Sequence, residues 1–372
     1  MRIGIVVPFS WSYWGGVVEH AENQAAGLRA RGHEVTLVMG HDPPGLFTRA
    51  LHPRSGRHGD LPPEVIPVGR SVVVPANGSL PNIVLSPRAI LRIRDVMDGD
   101  PFDVVHVHEP MTPVIANSAL IFARCPVVAT WHAAGNLAWM RLAVPWWGFL
   151  AERIDARLAV SRLAVESAQR WLGGEFEVVP NGVVIPAHAD AANRDHRIVF
   201  IGRHDARKGL SVLLRAWPEI RRRTGARLRL IGTDPLQYRL LHTRLRFDED
   251  GIDVLGVVTN EARTEELAHA KLLVSPALGG ESFGLVLVEA FATATPVVAS
   301  NIAGFAEVAT PDTAALVRPG DEAALVEAVV AALADEPRRV EMGRAARSLA
   351  TKRYAWSNIV QRLEQTYERV AA

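Results

Sequence analysis

Twice along this chain, apolar runs of strand length alternate with segments of helical period, a pattern that few folds accommodate and that marks parallel sheets built from βαβ units. In the first half, 2–8, 34–39, 103–107, 127–131, 156–160 and 176–179 read as strands, with helices over 16–31 and 87–98 among the segments between them. Gly32 stops the first of these helices, while Ser86 and Pro87 supply a cap and a first-turn proline for the second. Residues 40–82, rich in Pro, Gly and His, read as an irregular excursion. A turn at Pro180-Asn181-Gly182 and the aperiodic, alanine-rich stretch 186–196 mark a domain boundary. Beyond it a second series begins, with strands 197–202, 227–232, 252–255, 271–275, 296–299 and 314–317 and helices 208–223, 235–245, 260–269, 284–293, 321–334 and 337–350. The spacing predicts an α/β chain of two Rossmann-like, doubly wound parallel-sheet domains, 1–182 and 183–354, and an amphipathic helix in 355–372 that packs back on the first.

A length of 372 residues exceeds one ordinary core, in keeping with two. The formal net charge of +1 argues against a strong global attraction to nucleic acid. The single cysteine, Cys125, lies in an apolar segment, reads as core packing and permits no intramolecular disulfide, which suits a reducing compartment. Met1 to Pro8 reads as a first strand rather than a signal peptide, and no stretch reaches the roughly 20 uncharged apolar residues of a membrane span, so a cytoplasmic chain is expected. The nearest approach, Leu137 to Leu150, is broken by Arg141 and Pro145. Its Trp139, Trp146, Trp147 and Phe149 read first as packing in a core or between domains, and second as a lipid-interface group.

Doubly wound domains bind ligands at the carboxyl ends of their strands. The candidate residues fall at such ends: Gly15-Gly16, His132, Arg203 and Glu281. A cleft between facing domains is the simplest place for them to converge. The richest stretch is Gly279-Gly280-Glu281-Ser282-Phe283-Gly284, which runs into the apolar helix Leu285 to Ala290. A helix starting near Gly284 offers unpaired N–H groups and a positive dipole end to a phosphate. Glu281 and Glu289 stand eight residues apart, close to one helical face, and as carboxylates they suit sugar hydroxyls rather than phosphate. A phosphate attached to sugars satisfies both demands. The bland alternative for either glutamate alone is a solvated side chain beside a glycine turn.

Gly202 to Gly209 adds Arg203, Arg207 and Lys208 between a strand and a helix; Arg203 and Lys208 can neutralise a departing diphosphate. The lysine precedes its glycine and no Ser or Thr follows, so this is not a Walker loop, and a solvated basic loop is the competing reading. Gly15-Gly16 lacks the dinucleotide glycine fingerprint, which disfavours an NAD-dependent oxidoreductase; a tight strand-to-helix turn is its structural alternative. His106 and His108 share a strand face near Glu109 and His132, but without paired metal-ligand spacing they read as buried strand ends, and no metal is expected. Asp248-Glu249-Asp250 reads as a solvated turn.

Pro180-Asn181-Gly182-Val183, the Arg203/Lys208 pair and the Glu281-to-Glu289 segment together resemble the retaining glycosyltransferases of family 4, and within them the phosphatidylinositol mannosyltransferases. The similarity runs from Met1-Arg2-Ile3-Gly4 through Gly32-His33-Glu34-Val35, Phe102 to Pro110 and Val127 to His132, to Pro296-Val297-Val298-Ala299-Ser300. It implies a GT-B fold and transfer of mannose from GDP-mannose to an inositol phospholipid, at the inner face of the plasma membrane, without metal or other cofactor. By the same resemblance, Arg203 and Lys208 grip the donor diphosphate near Gly16 and the backbone of Gly284 and Leu285. Glu281 holds the donor sugar, Glu289 the ribose, and His132 lies beside the transferred sugar. The chain departs from the pattern at Phe9, where a tyrosine is expected, and at Ser12, where an aspartate is usual. Ala133-Ala134-Gly135-Asn136 lack a lysine for the lipid phosphate, and Arg88, Arg92 and Arg94 share their helix with Asp95 and Asp98. A UDP-sugar donor with a soluble inositol phosphate or polysaccharide acceptor, and a nucleotide-sugar binding protein without transferase activity, are the alternatives.

Overall fold

The computed structural model describes residues 1–46, 48, 60–74, 81–99, 101–132, 140–203 and 205–372. The chain divides into two compact units, Met1–Gly182 with Trp356–Ala372, and Val183–Ala355.

In the first unit the strands are β1 (Arg2–Ser10), β2 (Glu34–Gly40), β3 (Val65–Pro67), β4 (Val72–Val73), β5 (Asn82–Ile83), β6 (Val104–His108), β7 (Val127–Trp131), β8 (Ala156–Ala159) and β9 (Glu177–Val178). Seven of them run parallel in the order β3-β2-β1-β6-β7-β8-β9. The antiparallel pair β4 and β5 hangs from the end of β1 through Phe9 and Ile83. Residues 40–82, expected to be irregular, therefore contribute β3 to the sheet and most of this small ribbon. Strands of two or three residues carry too little periodicity to register in a sequence window.

Successive side chains of β1 face opposite ways. Ile3, Ile5 and Val7 join the core under helix Gly16–Ala30, while Val6 joins the core under helices Pro87–Gly99 and Ile115–Phe122. The helix Trp356–Ala371 closes the first of these cores with Ile359, Val360, Leu363 and Tyr367. Its approach to helix Gly16–Ala30 requires Gly27, where a Cβ would lie 2.5 Å from Val360 Cγ2.

Helix Met140–Ala151 resolves the aromatic group of the sequence in part: Trp147 is buried, whereas Trp146 and Phe149 are exposed and adjoin at 6.0 Å between centroids. Trp139 lies outside the described residues. No helix among the described residues is long and apolar enough to cross a membrane.

The second unit holds β10 (Asp195–Ile201), β11 (Arg227–Ile231), β12 (Ile252–Gly256), β13 (Ala270–Ser275), β14 (Val297–Ser300) and β15 (Ala315–Val317), all parallel in the order β12-β11-β10-β13-β14-β15. Ile198, Phe200, Leu228, Leu230, Leu272, Val274 and Val298 pack beneath helices Leu210–Thr224 and Glu322–Ala334. The acidic run 248–250 is a turn: Asp250 accepts from Trp217 Nε1 through its carbonyl and pairs with Arg221.

A buried cation fastens the starts of two inner strands of this sheet. Arg194 donates to Leu267 O, Ala270 O, Thr295 Oγ1 and Thr293 O at 2.6–3.0 Å, and burial pulls its pKa down to about 10. It ties the end of helix Asn260–His269 and the start of β13 to the turn before β14. Arg194→Met is expected to destabilise the second unit by about 3 kcal/mol, because four acceptors lose a charged donor at once. Urea denaturation measures this, and an unchanged midpoint would contradict it.

Candidate active site

In the second unit the chain winds outward from β10 to β11 and β12, then returns to the other side of β10 as β13. The switch point therefore lies between β10 and β13, where diverging loops leave a crevice at the strand ends. The loops that follow these two strands carry the basic and the acidic motifs. Lys208 Nζ lies 2.7 Å from Glu281 Oε1, and both side chains are largely shielded from solvent. Arg203 is exposed, two residues past the end of β10. His204 lies outside the described residues.

The third cation of the motif has a different task. Arg207 donates to both oxygens of Asp205 and to Gly280 O, and its own carbonyl accepts from Leu278 N–H at 2.7 Å. It stitches one loop to the other. Burial raises the pKa of Asp205, but hydrogen bonds from the Arg207 side chain and backbone outweigh it, so the carboxyl stays below its usual range. Gly209 completes the seam: its φ is +70°, and a Cβ there would lie 1.8 Å from Pro276 O.

Helix Leu285–Ala292 starts behind Gly284, whose φ of +87° is left-handed and whose side-chain position is blocked by Phe305 at 2.9 Å. No side chain among the described residues caps this helix, which leaves N–H groups of its first turn for an acceptor such as phosphate. Glu281 precedes it in a turn rather than in the helix, and Gly280 and Gly284 are both left-handed. The helical phase expected to align Glu281 with Glu289 therefore does not apply across this segment. Glu289, within the helix, meets Arg263 at 2.8 Å instead. Arg263 comes from helix Asn260–His269, and no spacing in the sequence announced it. Gly304 lets a short helix lie directly under the turn, since a Cβ there would meet Glu281 O at 2.1 Å.

In the first unit the loop after β1 is folded around Asp42. Its carboxylate accepts from Ser10 Oγ, Ser71 Oγ and Ser71 N–H, and Ser12 Oγ accepts from Asp42 N–H. Ser12, standing where an aspartate was expected, thus serves as an anchor for the loop. Helix Gly16–Ala30 begins just after it. Gly15 has an extended φ of −169° and Gly16 is exposed; a Cβ at either would meet nothing within 4 Å. The turn itself does not demand these glycines, so the tight-turn alternative loses its reason. What they leave is open backbone at a helix N-terminus.

His132 follows β7 and is buried. Its N–H donates to Glu109 Oε1 at 2.9 Å, and its Nε2 hydrogen-bonds His108 Nδ1 at 2.8 Å. Glu109 is held in a left-handed conformation, φ +48°, with its own N–H on Thr130 O. Burial, followed by repulsion from His20 and His106, holds His132 far below its normal pKa, against a hydrogen bond to Asn181 that raises it. The ring is therefore neutral near pH 7. Residues 133–136, singled out for their missing lysine, lie outside the described residues.

The structure thus brings Lys208 and Glu281 together, with Gly284 and Leu285 next along the chain, and sets Arg203 in the loop after β10 and Glu289 against Arg263. It sets Gly16 and His132 at strand ends of the first. A cavity of about 690 Å³ in the second unit, lined by His188, Arg344, Arg347 and Lys352 among others, shares none of these residues.

Comparison with known proteins gives the family and the fold. The profile of Glycosyltransferase Family 4 matches residues 14–185, and that of Glycosyl transferases group 1 matches residues 195–335. The chain is 36% identical to phosphatidyl-myo-inositol mannosyltransferase of Mycobacterium leprae, over 100% of this chain and 97% of that protein. It is 34% identical to the enzyme of the same name from Mycolicibacterium smegmatis, over 100% and 94%. Among solved structures, sucrose-phosphate synthase of Thermosynechococcus elongatus superposes with a TM-score of 0.76 at 18% identity over 99% of each chain. HepE of Anabaena, in complex with UDP and glucose, does so with a TM-score of 0.72 at 19% identity, over 98% of this chain and 99% of that one. These matches set aside the oxidoreductase reading.

Proposed function

The chain belongs to glycosyltransferase family 4, retaining enzymes of GT-B fold, and on that footing we propose that it moves mannose from GDP-mannose to an inositol-containing phospholipid. One observation carries the donor half: Lys208 and Glu281 meet across the switch point of the second unit, beside an uncapped helix. An ammonium and free N–H groups suit a diphosphate, and a carboxylate suits sugar hydroxyls. Arg203 supplies a second, solvent-facing cation for the leaving group, and Glu289 accepts from the ribose. Gly16 gives a phosphate access to open backbone, and His132, neutral and firmly hydrogen-bonded, sits beside the transferred sugar.

In the proposed reaction the bond from the anomeric carbon to the diphosphate breaks and positive charge develops on the sugar. The acceptor hydroxyl attacks from the face the diphosphate leaves, which retains configuration. No protein nucleophile is needed; the cations that hold the departing charge and the positioning of both substrates supply the rate enhancement. Names of the mycobacterial relatives support mannose and an inositol lipid. The helix Pro87–Gly99 adds to the lipid reading, exposing Ile90 and Leu91 beside Arg88, Arg92 and Arg94, a surface for peripheral contact with anionic lipid. A cytoplasmic protein working at the inner face of the plasma membrane follows from this reading.

Two measurements test it. In a thermal-shift panel of GDP-, UDP- and ADP-sugars, GDP-mannose should raise the melting temperature most. With radiolabelled GDP-mannose and phosphatidylinositol vesicles, GDP and a labelled lipid should appear together. Selective stabilisation by a UDP-sugar, with label entering only a soluble acceptor, would replace this reading with the alternative one.

A further inference from the structure

Four imidazoles gather under the strand ends of the first unit, and three of them come from different elements: His20 from helix Gly16–Ala30, His108 from the end of β6 and His132 just after β7. The ring centroids of these three form a triangle with sides of 4.8, 5.1 and 5.4 Å. One ring nitrogen from each lies within 4.8 Å of the other two. All three rings are buried. His20 Nδ1 and His108 Nε2 have no hydrogen-bond partner among the described residues.

Aromatic packing alone tolerates centroid separations over a wide range, about 4.5 to 7 Å, and gives no reason to bury two unpartnered polar atoms. Each such atom costs about 1–3 kcal/mol. A tetrahedral first-row ion gives a tighter expectation: nitrogens at about 2.0–2.1 Å from the metal place three ring centres about 5 Å apart. The observed triangle has that size. The rings are neutral, the form in which imidazole ligates: burial lowers His20 to about 4, and burial with repulsion from neighbouring imidazoles holds His108 and His132 well below their usual value. Two nitrogens on such an ion lie about 3.3 Å apart, so binding either opens the His108 Nδ1–His132 pair from 2.8 Å or uses the unpartnered His108 Nε2, and it draws together nitrogens that lie up to 4.8 Å apart.

We propose that His20, His108 and His132 form a three-histidine site for a zinc-like transition-metal ion, with a fourth coordination position left to solvent or an anion. The metal takes no part in glycosyl transfer. Occupancy engages His132 and so opposes transfer, a consequence that rests on the role given to His132 above; the site itself does not depend on it. Imidazole-rich sites favour Zn²⁺, Cu²⁺, Ni²⁺ and Co²⁺ over Mg²⁺ or Ca²⁺.

The test uses the full-length, tag-free protein, stripped with chelator and titrated with Co²⁺ in the visible range. One equivalent should bind with ligand-field bands of a tetrahedral or five-coordinate nitrogen site, and one equivalent of Zn²⁺ should bleach them. His20→Gln and His108→Gln should each weaken Co²⁺ binding by about 100-fold or more, while His106→Gln, outside the triad, should retain it. Circular dichroism melts in the same series show which variants fold, and the wild-type titration stands without them. Absence of ligand-field bands in the wild type, or equal affinity in folded His20→Gln, overturns the site. Binding without inhibition of transfer supports the site and counts against the role of His132.

Discussion

Arg203→Ala is expected to lower kcat by about a thousand-fold with the melting temperature unchanged, because the side chain is exposed and its proposed work is confined to charge that develops on the leaving group. A stabilising cation that acts mainly in the transition state leaves KM for the donor little changed while kcat collapses. Lys208→Ala should lose turnover to a similar degree, with a different signature. Lys208 sits 2.7 Å from Glu281 in a part-buried pair, so its removal strands a carboxylate and lowers the melting temperature as well. Lys208→Ala with Glu281→Gln should recover the lost stability and none of the activity. Steady-state kinetics and calorimetry on the three variants check this; near-normal kcat in both single variants would sink the diphosphate clamp.

Gly209→Ala should have the largest effect on stability. The residue is left-handed, which costs an alanine about 1–2 kcal/mol, and the added methyl would lie 1.8 Å from Pro276 O, backbone that cannot swing aside like a side-chain tip. Relief requires the loop after β10 to part from the loop after β13, breaking the contacts that Arg207 makes with Gly280 and Leu278. A loss of at least about 4 kcal/mol is expected, concentrated in the second unit. Hydrogen exchange localises it: protection should fall first in 202–209 and 276–284. A fully protected, wild-type-like Gly209→Ala protein would show that the close approach carries no weight.

Much of this molecule was legible because its strands are buried on both faces and therefore read as continuous apolar runs. β1, β7, β11 and β13 begin and end within two or three residues of their expected limits. The excursion after β2 was not legible, since β4 is Val72-Val73 alone and owes its existence to β5, nine residues later. Helix Leu285–Ala292 was visible in its apolar composition, but the left-handed Gly284 that launches it undid the periodic alignment of Glu281 with Glu289. At the site, the residues named from sequence were those lying next to a recognisable turn. Arg263, Asp42 and His20 escaped because each acts across elements far apart in the chain: Arg263 on Glu289, Asp42 on Ser10 and Ser71, His20 against His132. Arg207 was seen as a charge, yet its purpose follows only from the carbonyl of Gly280, which no pattern of side chains can reveal.

The final helix belongs with the first unit although it follows the second, and the chain's entry to and exit from Val183–Ala355 adjoin: Val183 N–H donates to Tyr354 O at 2.7 Å, and Gly182 lies against the Trp356 ring. Topologically the second unit is a cassette inserted into the first, with both splice points side by side. Recombination that exchanged this cassette would replace Arg203, Lys208, Glu281 and Glu289 together through two adjacent cuts in the chain. A lineage built this way can change its sugar currency and keep its acceptor.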